Sequence, residues 1–434
     1  MGTNTPSPSP SHELRRNWPI LVVAFILVFL AFGIPTYSLP FMYGPAMKEF
    51  GWTNAQVNLL STAKFLIGAV AALGMGILVD RIGGRLAVLI GTAAGGVAMA
   101  MFLFATNLPV YYLAGAMLGF SASSIVAAMK VIVSRLFTLH QGAAMGIVLT
   151  ATNTGGVVMP WIWAPLLEAG WNWRTIIAMM SIGPILIAVP LWVIFVALSK
   201  KLGPVIKAPT PLHNKLSTWE HFKVISQDRN FWLIAVGIFL VSAVDQAVQQ
   251  NTVQFLIKNK GMNIDKIAWA ASLTAVLGVA AKIASGWIYD QTSIAGIRVF
   301  YVLLAISTWL IIPIAGPLTL TLFIVTRGMA HGGMIVDVPI LTRHYFGPER
   351  LGLTIGIMSV AVNLGFASGP PLLGWLADVN NGSFVPGMWI YGAVAAVAVV
   401  SLVRVAPRFW VPPARRRAAD APVQAVPTAA PPVV

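Results

Sequence analysis

Apolar and polar residues follow one another along this chain in long blocks, not at the short period of a soluble helix or strand. Twelve apolar runs of about 20 residues or more can be marked, each long enough to cross a hydrocarbon core of about 30 Å. Short polar segments separate them, so the pattern predicts twelve transmembrane helices. The runs lie near residues 19–41, 54–79, 86–106, 109–137, 143–167, 174–199, 231–257, 266–289, 297–315, 318–345, 351–377 and 387–406.

One polar stretch is much longer than the others and divides the runs into two sets of six. Residues 200–229 are rich in lysine and predict a cytoplasmic linker between an N-terminal bundle at 19–199 and a C-terminal bundle at 230–407. Residues 1–18, which are rich in Pro and Ser, and residues 408–434 predict disordered cytoplasmic ends.

The chain also matches itself at a spacing of 210 residues. The matches fall on Gly, Pro, Asn and acidic residues, which mark turns, kinks and helix contacts, and not only on the abundant Leu, Val and Ala. Two similar membrane halves of this kind are typical of transporters that bind their substrate between the halves. The matched pairs include Gly51/Gly261, Gly76/Gly286, Asp80/Asp290, Gly142/Gly352, Gly146/Gly356, Asn153/Asn363, Pro160/Pro370 and Glu168/Asp378.

Composition and charge narrow the class of protein. The chain is 57% hydrophobic and 9% charged, whereas soluble domains carry about 25% charged residues, so it is an integral membrane protein. The absence of cysteine excludes disulfides, thiolate metal sites and cysteine nucleophiles. The net charge of +15 does not predict a nucleic-acid partner, because the basic residues are dispersed among short loops. Their excess on one side predicts an inner-membrane protein with both termini in the cytoplasm.

A charged motif lies between the second and third runs. Gly76 allows a neighbouring helix to approach, and Asp80, Arg81 and Arg85 follow at the predicted cytoplasmic end. This spacing resembles the signature G-x-x-x-D-R-x-G-R of the major facilitator superfamily, and Asp290 keeps the matching position in the second half. The resemblance implies that these residues control the conformational change. An ordinary charged loop is the alternative interpretation.

Several other segments resemble the same superfamily and together cover almost the whole chain. They are Arg135–Phe137 with Gly142 and Gly146, Gly170–Arg174, Tyr345–Gly352 with Gly356, and Gly365–Pro371. The resemblance implies an all-α integral membrane fold in which twelve transmembrane helices form two pseudo-symmetric six-helix bundles. It also implies a central cavity that opens alternately to each side of the membrane. The substrate has to be argued separately from the residues of the site.

Ionisable residues inside the runs are the first candidates for function, because each costs a few kcal/mol to insert. With histidine neutral, they sum to four positive and two negative charges. A net cationic interior favours an anionic ligand, so we predict an organic anion as substrate. The residues are Lys64, Lys130, Asp245, Lys282, Arg327, His331 and Asp337.

Lys282 carries the most specific prediction. It lies eight residues before Asp290, about 12 Å from the cytoplasmic end of its helix. This spacing resembles the monocarboxylate and oxalate/formate transporter branch, where an arginine at that place binds the substrate carboxylate. The resemblance implies the same role for Lys282, with a point charge in place of a bidentate fork. The chain departs from that branch at Gly278, where proton-coupled members have an acid, and at Val362 and Asn363, where the oxalate exchanger has a lysine.

Asp245 lies fourteen residues into the seventh run, about 21 Å from its start and close to mid-membrane. Glutamines at 246, 249 and 250 extend a polar face from it. We hypothesise that Asp245 carries a proton while substrate occupies Lys282, and pairs with Lys282 when the site is empty. A permanent structural ion pair of Lys282 with Asp245 or Asp337 is the alternative.

The remaining charged candidates each have two interpretations. Lys64, roughly 24 Å along its helix from Asp80, binds substrate or extends outward to the membrane surface. Arg327 and His331 lie one turn apart on one face. Arg327 is a second carboxylate ligand or an outer gate, and His331 is a proton site or a packing residue. Asp337 is a gate ion pair or a proton site.

Uncharged polar residues complete the predicted binding site. Tyr37, in a kinked segment after Pro35, can donate a hydrogen bond to a carboxylate. Asn153 and Asn363 occupy equivalent positions in the fifth and eleventh runs, where an amide can orient polar groups of a ligand. Hydrogen bonding between helices is an equal alternative for this pair.

No H-E-x-x-H, G-x-S-x-G, Walker A or Rossmann motif occurs. We therefore expect no enzyme activity, no cofactor and no resident metal, and an ion or substrate gradient as the energy source. We predict a monomeric secondary transporter of a small organic anion, a carboxylate, with proton symport preferred to anion exchange. The alternatives are an exporter of amphiphilic drugs or metabolites driven by proton antiport and a carrier of a neutral solute such as a sugar.

Overall fold

A computed structural model gives the structure of residues 10–82, 84–136, 141–201, 218–334, 337–347 and 351–410. Every regular element within these ranges is a helix. Long apolar runs with few charges leave helices as the only open-chain structure that satisfies its own backbone hydrogen bonds in lipid. The all-α fold class predicted from the runs is confirmed.

The first half of the chain forms six long helical segments, of which the first is a continuous rod of two helices joined by a π-helical turn. The bounds are α1 Pro10–Val28, the π turn Phe29–Gly33, α2 Ile34–Phe50, α3 Asn54–Ile82, α4 Gly84–Leu103, α5 Leu108–Leu136, α6 Gln141–Glu168 and α7 Trp173–Lys201.

In the π turn of the first rod the backbone hydrogen bonds change from the α-helical pattern to the wider π-helical pattern. The N–H of Ile34 donates to the carbonyl of Phe29, five residues earlier instead of four. Pro35, which follows, has no N–H and its ring crowds the carbonyl of the preceding turn, so the hydrogen-bond ladder widens just before it. The π turn lies a few residues before Pro35, within and just ahead of the segment in which a kink was predicted.

The second half begins with a short helix and continues with seven helices, two of which form one bent segment, so that there are again six helical segments. The short helix lies inside the segment predicted as a linker at 200–229, because Phe222 and Ile225 give it an apolar face that the charge pattern did not reveal. The bounds are α8 Thr218–Ser226, α9 Arg229–Lys258, α10 Ile264–Thr292, α11 Ile294–Leu310, α12 Pro317–Met334, α13 Asp337–Phe346, α14 Leu351–Val379 and α15 Val385–Val403.

Each of the twelve predicted runs coincides with one helical segment. Within the described ranges nine helices are long and apolar enough to cross a membrane, or ten if α12 and α13, which are bent by 47°, form one span. The other two segments are α11, which has 17 residues, and α7, whose side chains are described only in part.

The two halves meet at the end of the bundle that carries the α2–α3, α9–α10 and α14–α15 loops, which we call the outer end from the predicted topology. Asp378 of α14 accepts hydrogen bonds from the backbone N–H groups of Asn54 (2.9 Å) and Ala55 (2.8 Å) at the start of α3. Deeper in, the Tyr43 hydroxyl donates to Gln250 Oε1 at 3.2 Å. These contacts join the halves at the outer end and leave a cavity between them below.

Small residues allow the helices around that cavity to approach closely. A Cβ added at Gly119 of α5 would overlap the carbonyl oxygen of Lys64 in α3, and backbone cannot yield as a flexible side chain does. We expect Gly119→Ala to lower the free energy of unfolding by about 1–3 kcal/mol through overpacking, measured as thermal stability in detergent. Gly146→Ala is the control, since its Cβ would meet nothing within 4 Å; equal losses in both variants would contradict this packing.

Candidate functional site

A cavity of about 240 Å³ lies between the two halves. Its walls combine aromatic side chains with polar and ionisable ones, and both halves contribute. The lining residues include Phe32, Thr36, Tyr37, Phe65, Asn153, Asp245, Gln249, His331, Asp337 and Phe366. We call this space the central cavity. It brings together four of the predicted site residues with charged or amide groups, from α6, α9, α12 and α13.

Asp245 is held by two groups of the same half. Its Oδ1 lies 2.7 Å from Nη1 of Arg327, and the other guanidinium nitrogen donates to the Asp245 carbonyl oxygen at 2.8 Å. Nδ1 of His331 lies 3.0 Å from both carboxylate oxygens. Asp245 and Arg327 are only 3% and 2% exposed, so this is a fully buried ion pair. Arg327 and His331 reach it from one face of α12, as predicted.

The proposed pair between Asp245 and Lys282 is not present in this conformation. Arg327, on the helix that faces Asp245, neutralises the carboxylate with both its side chain and its hydrogen bond to the backbone. Lys282 points instead across the interface between the halves. Its ammonium group donates to Oδ1 of Asn153 in α6 at 3.0 Å.

The contact between Lys282 and Asn153 therefore joins a cation to a neutral amide. Within the described ranges no carboxylate lies within 4 Å of the Lys282 ammonium group. Nδ2 of Asn153 is buried and has no hydrogen-bond partner among the described residues. A cationic donor and an unused amide donor thus stand side by side, which suits an anionic acceptor.

Lys64 is enclosed and does not extend to the membrane surface. Its side chain is 2% exposed, its Nζ donates to Oγ1 of Thr36 at 2.8 Å, and the ring centres of Phe32 and Phe65 lie 5.5 and 5.2 Å away. The outward-extending interpretation is wrong, because these rings and α5 surround the lysine stem. Thr36, which was not predicted, connects Lys64 to the central cavity.

Lys64 lines a neighbouring cavity of about 350 Å³, which it shares with Asn363. Three aromatic residues border both cavities: Phe32, Phe65 and Phe366. Phe65 and Phe366 come from opposite halves, and their ring centres are 4.9 Å apart. Asn363 donates to the carbonyl of Ser359 in its own helix at 2.8 Å. The two equivalent asparagines therefore have different surroundings, and only Asn153 borders the central cavity.

Asp337 stands at the start of α13 and borders the central cavity. Its Oδ2 accepts a hydrogen bond of 2.7 Å from the hydroxyl of Tyr301, and it is 3% exposed. Among the described residues no cation lies within 4 Å of it. Tyr301 was not predicted, because it lies in α11 and nothing in its own run distinguishes it from a packing tyrosine.

Tyr37 borders both the central cavity and a second pocket towards the outer end. A Cβ added at Gly156 of α6 would come within 2.6 Å of the Tyr37 ring. The ring is thus fixed against the glycine of the opposite wall, next to Asn153 one turn away. This position is compatible with the predicted role of Tyr37 in ligand binding.

The residues predicted to control the conformational change lie on helices that the structure contains. The side chains of Asp80, Arg81, Arg85 and Asp290 and the surroundings of Gly76 are outside the described part of the chain, as is the side chain of Lys130. Their roles stay predictions. In the described ranges no group of three or more His, Asp or Glu side chains could hold a metal ion.

Comparisons with known proteins give the context of this site. A family model described as the Major Facilitator Superfamily matches residues 21–342. The 4-hydroxybenzoate transporter PcaK of Pseudomonas putida is 23% identical, with 89% of this chain and 92% of that protein covered. Monocarboxylate transporter 13 of Rattus norvegicus is 22% identical, with 87% and 86% covered.

The chain is also similar to a protein with a different name and, in fold, to a solved transporter structure. The multidrug resistance protein MdtG of Klebsiella pneumoniae is 24% identical, with 86% of this chain and 90% of that protein covered. A solved structure of the nucleoside transporter NupG superposes with a TM-score of 0.70 at 14% identity, covering 88% of this chain and 98% of that one. At that identity the likeness concerns the fold.

Proposed function

Because this chain belongs to the Major Facilitator Superfamily, we propose that it is a secondary active transporter that moves a small organic anion, a carboxylate, by alternating access. As the coupling mechanism we prefer symport with protons, driven by the proton gradient, to exchange of one anion for another. The relatives that carry 4-hydroxybenzoate or monocarboxylates in their names support this class of substrate.

The contact between Lys282 and Asn153 carries the proposal. The half-buried ammonium group of Lys282 lies next to an unused, buried amide donor, and no carboxylate among the described residues lies within 4 Å of it. A charge that is partly withdrawn from water and unpaired is unfavourable, and a substrate carboxylate supplies both the opposite charge and the acceptors. Lys64, with Thr36 as its neutral partner, adds a buried cation from the other half and raises the positive potential of the cavity.

Asp337 is the group best suited to carry the coupling proton. Protonation of Asp245 would leave the buried guanidinium of Arg327 without its partner, whereas the partners of Asp337 are the neutral Tyr301 hydroxyl and backbone N–H groups at the start of α13. Asp245, Arg327 and His331 then form a fixed cluster beside the proton site. A proton taken up by Asp337 together with one substrate monoanion would keep the total charge of the cavity constant.

Replacement of Asp337 by asparagine should separate proton coupling from binding. In proteoliposomes we expect Asp337→Asn to lose accumulation driven by an imposed pH gradient while it retains substrate counterflow. Asp265→Asn, an exposed acid at the outer end of α10, is the matched control and should retain both activities. Accumulation against a gradient by Asp337→Asn would remove Asp337 from the coupling mechanism.

A thermal-shift screen tests the substrate class. A ligand that binds only the folded protein stabilises it by about 2.7 kcal/mol at 100 times its Kd. We expect carboxylates to raise the melting temperature of the purified protein, and sugars and organic cations to leave it unchanged. If a cation or sugar stabilises the protein and no anion does, the proposed substrate class is wrong.

Export of amphiphilic drugs or metabolites by proton antiport is the second candidate. The relative named as a multidrug resistance protein and the aromatic walls of the central cavity favour it. Against it, Asp245 is already neutralised by Arg327, which leaves Asp337 as the one carboxylate among the described lining residues of the central cavity that a cationic drug could pair with. Dye efflux from everted vesicles at imposed pH gradients distinguishes this activity from carboxylate uptake.

The remaining assignments follow from the same proposal. We place the protein in the inner membrane with both termini in the cytoplasm, as a monomer, and we assign the opening of the inner side to Gly76, Asp80, Arg81, Arg85 and Asp290. A protease-accessible tag at either terminus would be cut only in inside-out vesicles if this orientation holds.

A further inference from the structure

A second cavity lies beside the central cavity, at another interface between the two halves. It is the cavity of about 350 Å³ that Lys64 lines, and we call it the Lys64 cavity. Its walls come mainly from α3 and α5 of the first half and from α13 and α14 of the second. On α14, Ile355 and Ser359 line it, and both lie farther from the outer end than Phe366, which borders both cavities. The Lys64 cavity is therefore on the inner side of the central cavity.

The Lys64 cavity contains a positive charge without a counter-ion. Lys64 is the one ionisable side chain among the described residues that line it. The lysine is 2% exposed and donates to the neutral hydroxyl of Thr36, and no carboxylate of the described ranges lies within 4 Å of it. The rings of Phe32 and Phe65 attract the ammonium group, but more weakly than an anion in the same place. A buried ammonium group beside open space therefore favours an anionic ligand.

The 210-residue repeat places similar chemistry at two equivalent interfaces, since α3 is equivalent to α10 and α6 to α14. Between α6 and α10, Lys282 donates to Asn153. Between α3 and α14, Lys64 and Asn363 line one cavity, and Asn363 is the repeat equivalent of Asn153. The lysines are not equivalent, because Lys64 corresponds to Thr274, about two turns from Lys282. Each interface thus combines a lysine of one half with an asparagine of the other.

The remaining walls of the Lys64 cavity fit a ligand with an apolar part. They consist of the three phenylalanines shared with the central cavity, together with apolar side chains that include Val126, Val338 and Val362. The volume lies within the range of about 300–1,000 Å³ that is usual for small-molecule sites. An inorganic anion would leave these walls without contacts. A carboxylate with a small apolar body contacts them while its charged end binds Lys64.

We propose that the Lys64 cavity is a second anion site, which binds an organic monocarboxylate through the Lys64 ammonium group. The hydroxyl of Ser123 and the amide of Asn363 line the same cavity and are available to hydrogen-bond the carboxylate. The site is separate from that at Lys282 and Asn153 and does not rest on it. One protein molecule therefore binds two carboxylates at once, one at each interface between the halves.

Counting the bound ligand tests this proposal. Binding of radiolabelled benzoate to the purified full-length protein is measured by equilibrium dialysis in chloride-free buffer. We expect two benzoates per chain for the unmodified protein and one for Lys64→Met, which removes the charge and keeps an unbranched side chain. Lys282→Ala should also leave one, and the double variant none. Lys48→Met, at an exposed position of α2, is the control and should bind two.

The two lysines make the outcomes distinguishable. If one benzoate binds and only Lys282→Ala removes it, the inference is overturned and the proposed function stands. If only Lys64→Met removes it, the second site stands and the proposed function is rejected. Absence of any bound benzoate rejects both. If chloride at equal concentration displaces the benzoate that remains on Lys282→Ala, the assignment to an organic anion is overturned.

A second variant serves if Lys64→Met does not fold. Asn363→Asp introduces a carboxylate into the cavity that Lys64 lines, where it can supply the missing counter-ion in place of the ligand. This variant should bind one benzoate per chain. Two benzoates bound to Asn363→Asp would count against the site.

Discussion

Lys282→Ala should abolish saturable carboxylate uptake. Lys282 is the cation that donates to Asn153 across the interface, and no carboxylate among the described residues neutralises it. Truncating one partner of a buried charge pair costs about 2–5 kcal/mol in binding, which corresponds to an affinity loss of about thirtyfold or more. The measurement is substrate binding by the purified variant together with counterflow in proteoliposomes.

Two further variants distinguish loss of charge from loss of structure. Lys282→Arg keeps the charge and adds a bidentate donor, so it should retain binding. Lys266→Ala makes the same truncation at the exposed outer end of α10 and should leave binding unchanged. If Lys282→Ala binds carboxylates like the unmodified protein, the anion does not sit between α6 and α10.

Asp245→Ala should have the largest effect on stability. It removes the carboxylate 2.7 Å from Arg327, and the guanidinium that remains is 2% exposed. Leaving a buried charge without its partner destabilises proteins by about 3–5 kcal/mol. We expect a large fall of the melting temperature in detergent, together with loss of transport.

The double variant Asp245→Ala/Arg327→Met identifies the cause of that loss. Replacing both members of a buried pair by apolar groups is often nearly neutral, so the double variant should recover most of the stability that the single variant loses. Asp265→Ala, at an exposed site, should stay within about 0.5 kcal/mol of the unmodified protein. A double variant that is less stable than Asp245→Ala would show that Arg327 has another partner.

The architecture was predictable because it depends on quantities that a sequence displays directly. Run length decides whether a helix spans a membrane, and the constant 210-residue register, with Asp378 matching Glu168, reveals the two halves. The bend between α12 and α13 and the helix inside the linker were not predicted. Both depend on contacts with other segments and not on the local pattern.

The partners of the buried charges could not be predicted for the same reason. Distances along a helix give the depth of Asp245 and Lys282 but not the direction in which each side chain points around its helix. In the structure Lys282 donates a hydrogen bond to Asn153, and Asp245 forms its ion pair with Arg327. Thr36 was missed although it lies next to Tyr37, since a hydroxyl in a membrane helix ordinarily bonds to its own backbone.

The hydrogen bonds of Asp378 to the first turn of α3 have a kinetic consequence. They exist only while the outer end is closed, and a carboxylate at a helix N-terminus is further favoured by the helix dipole. We expect the substrate-free protein to be mostly closed at its outer end. An external substrate molecule can then enter only after these hydrogen bonds break. The rate of uptake at saturating substrate concentration would then be set by the lifetime of these hydrogen bonds and not by carboxylate binding at Lys282.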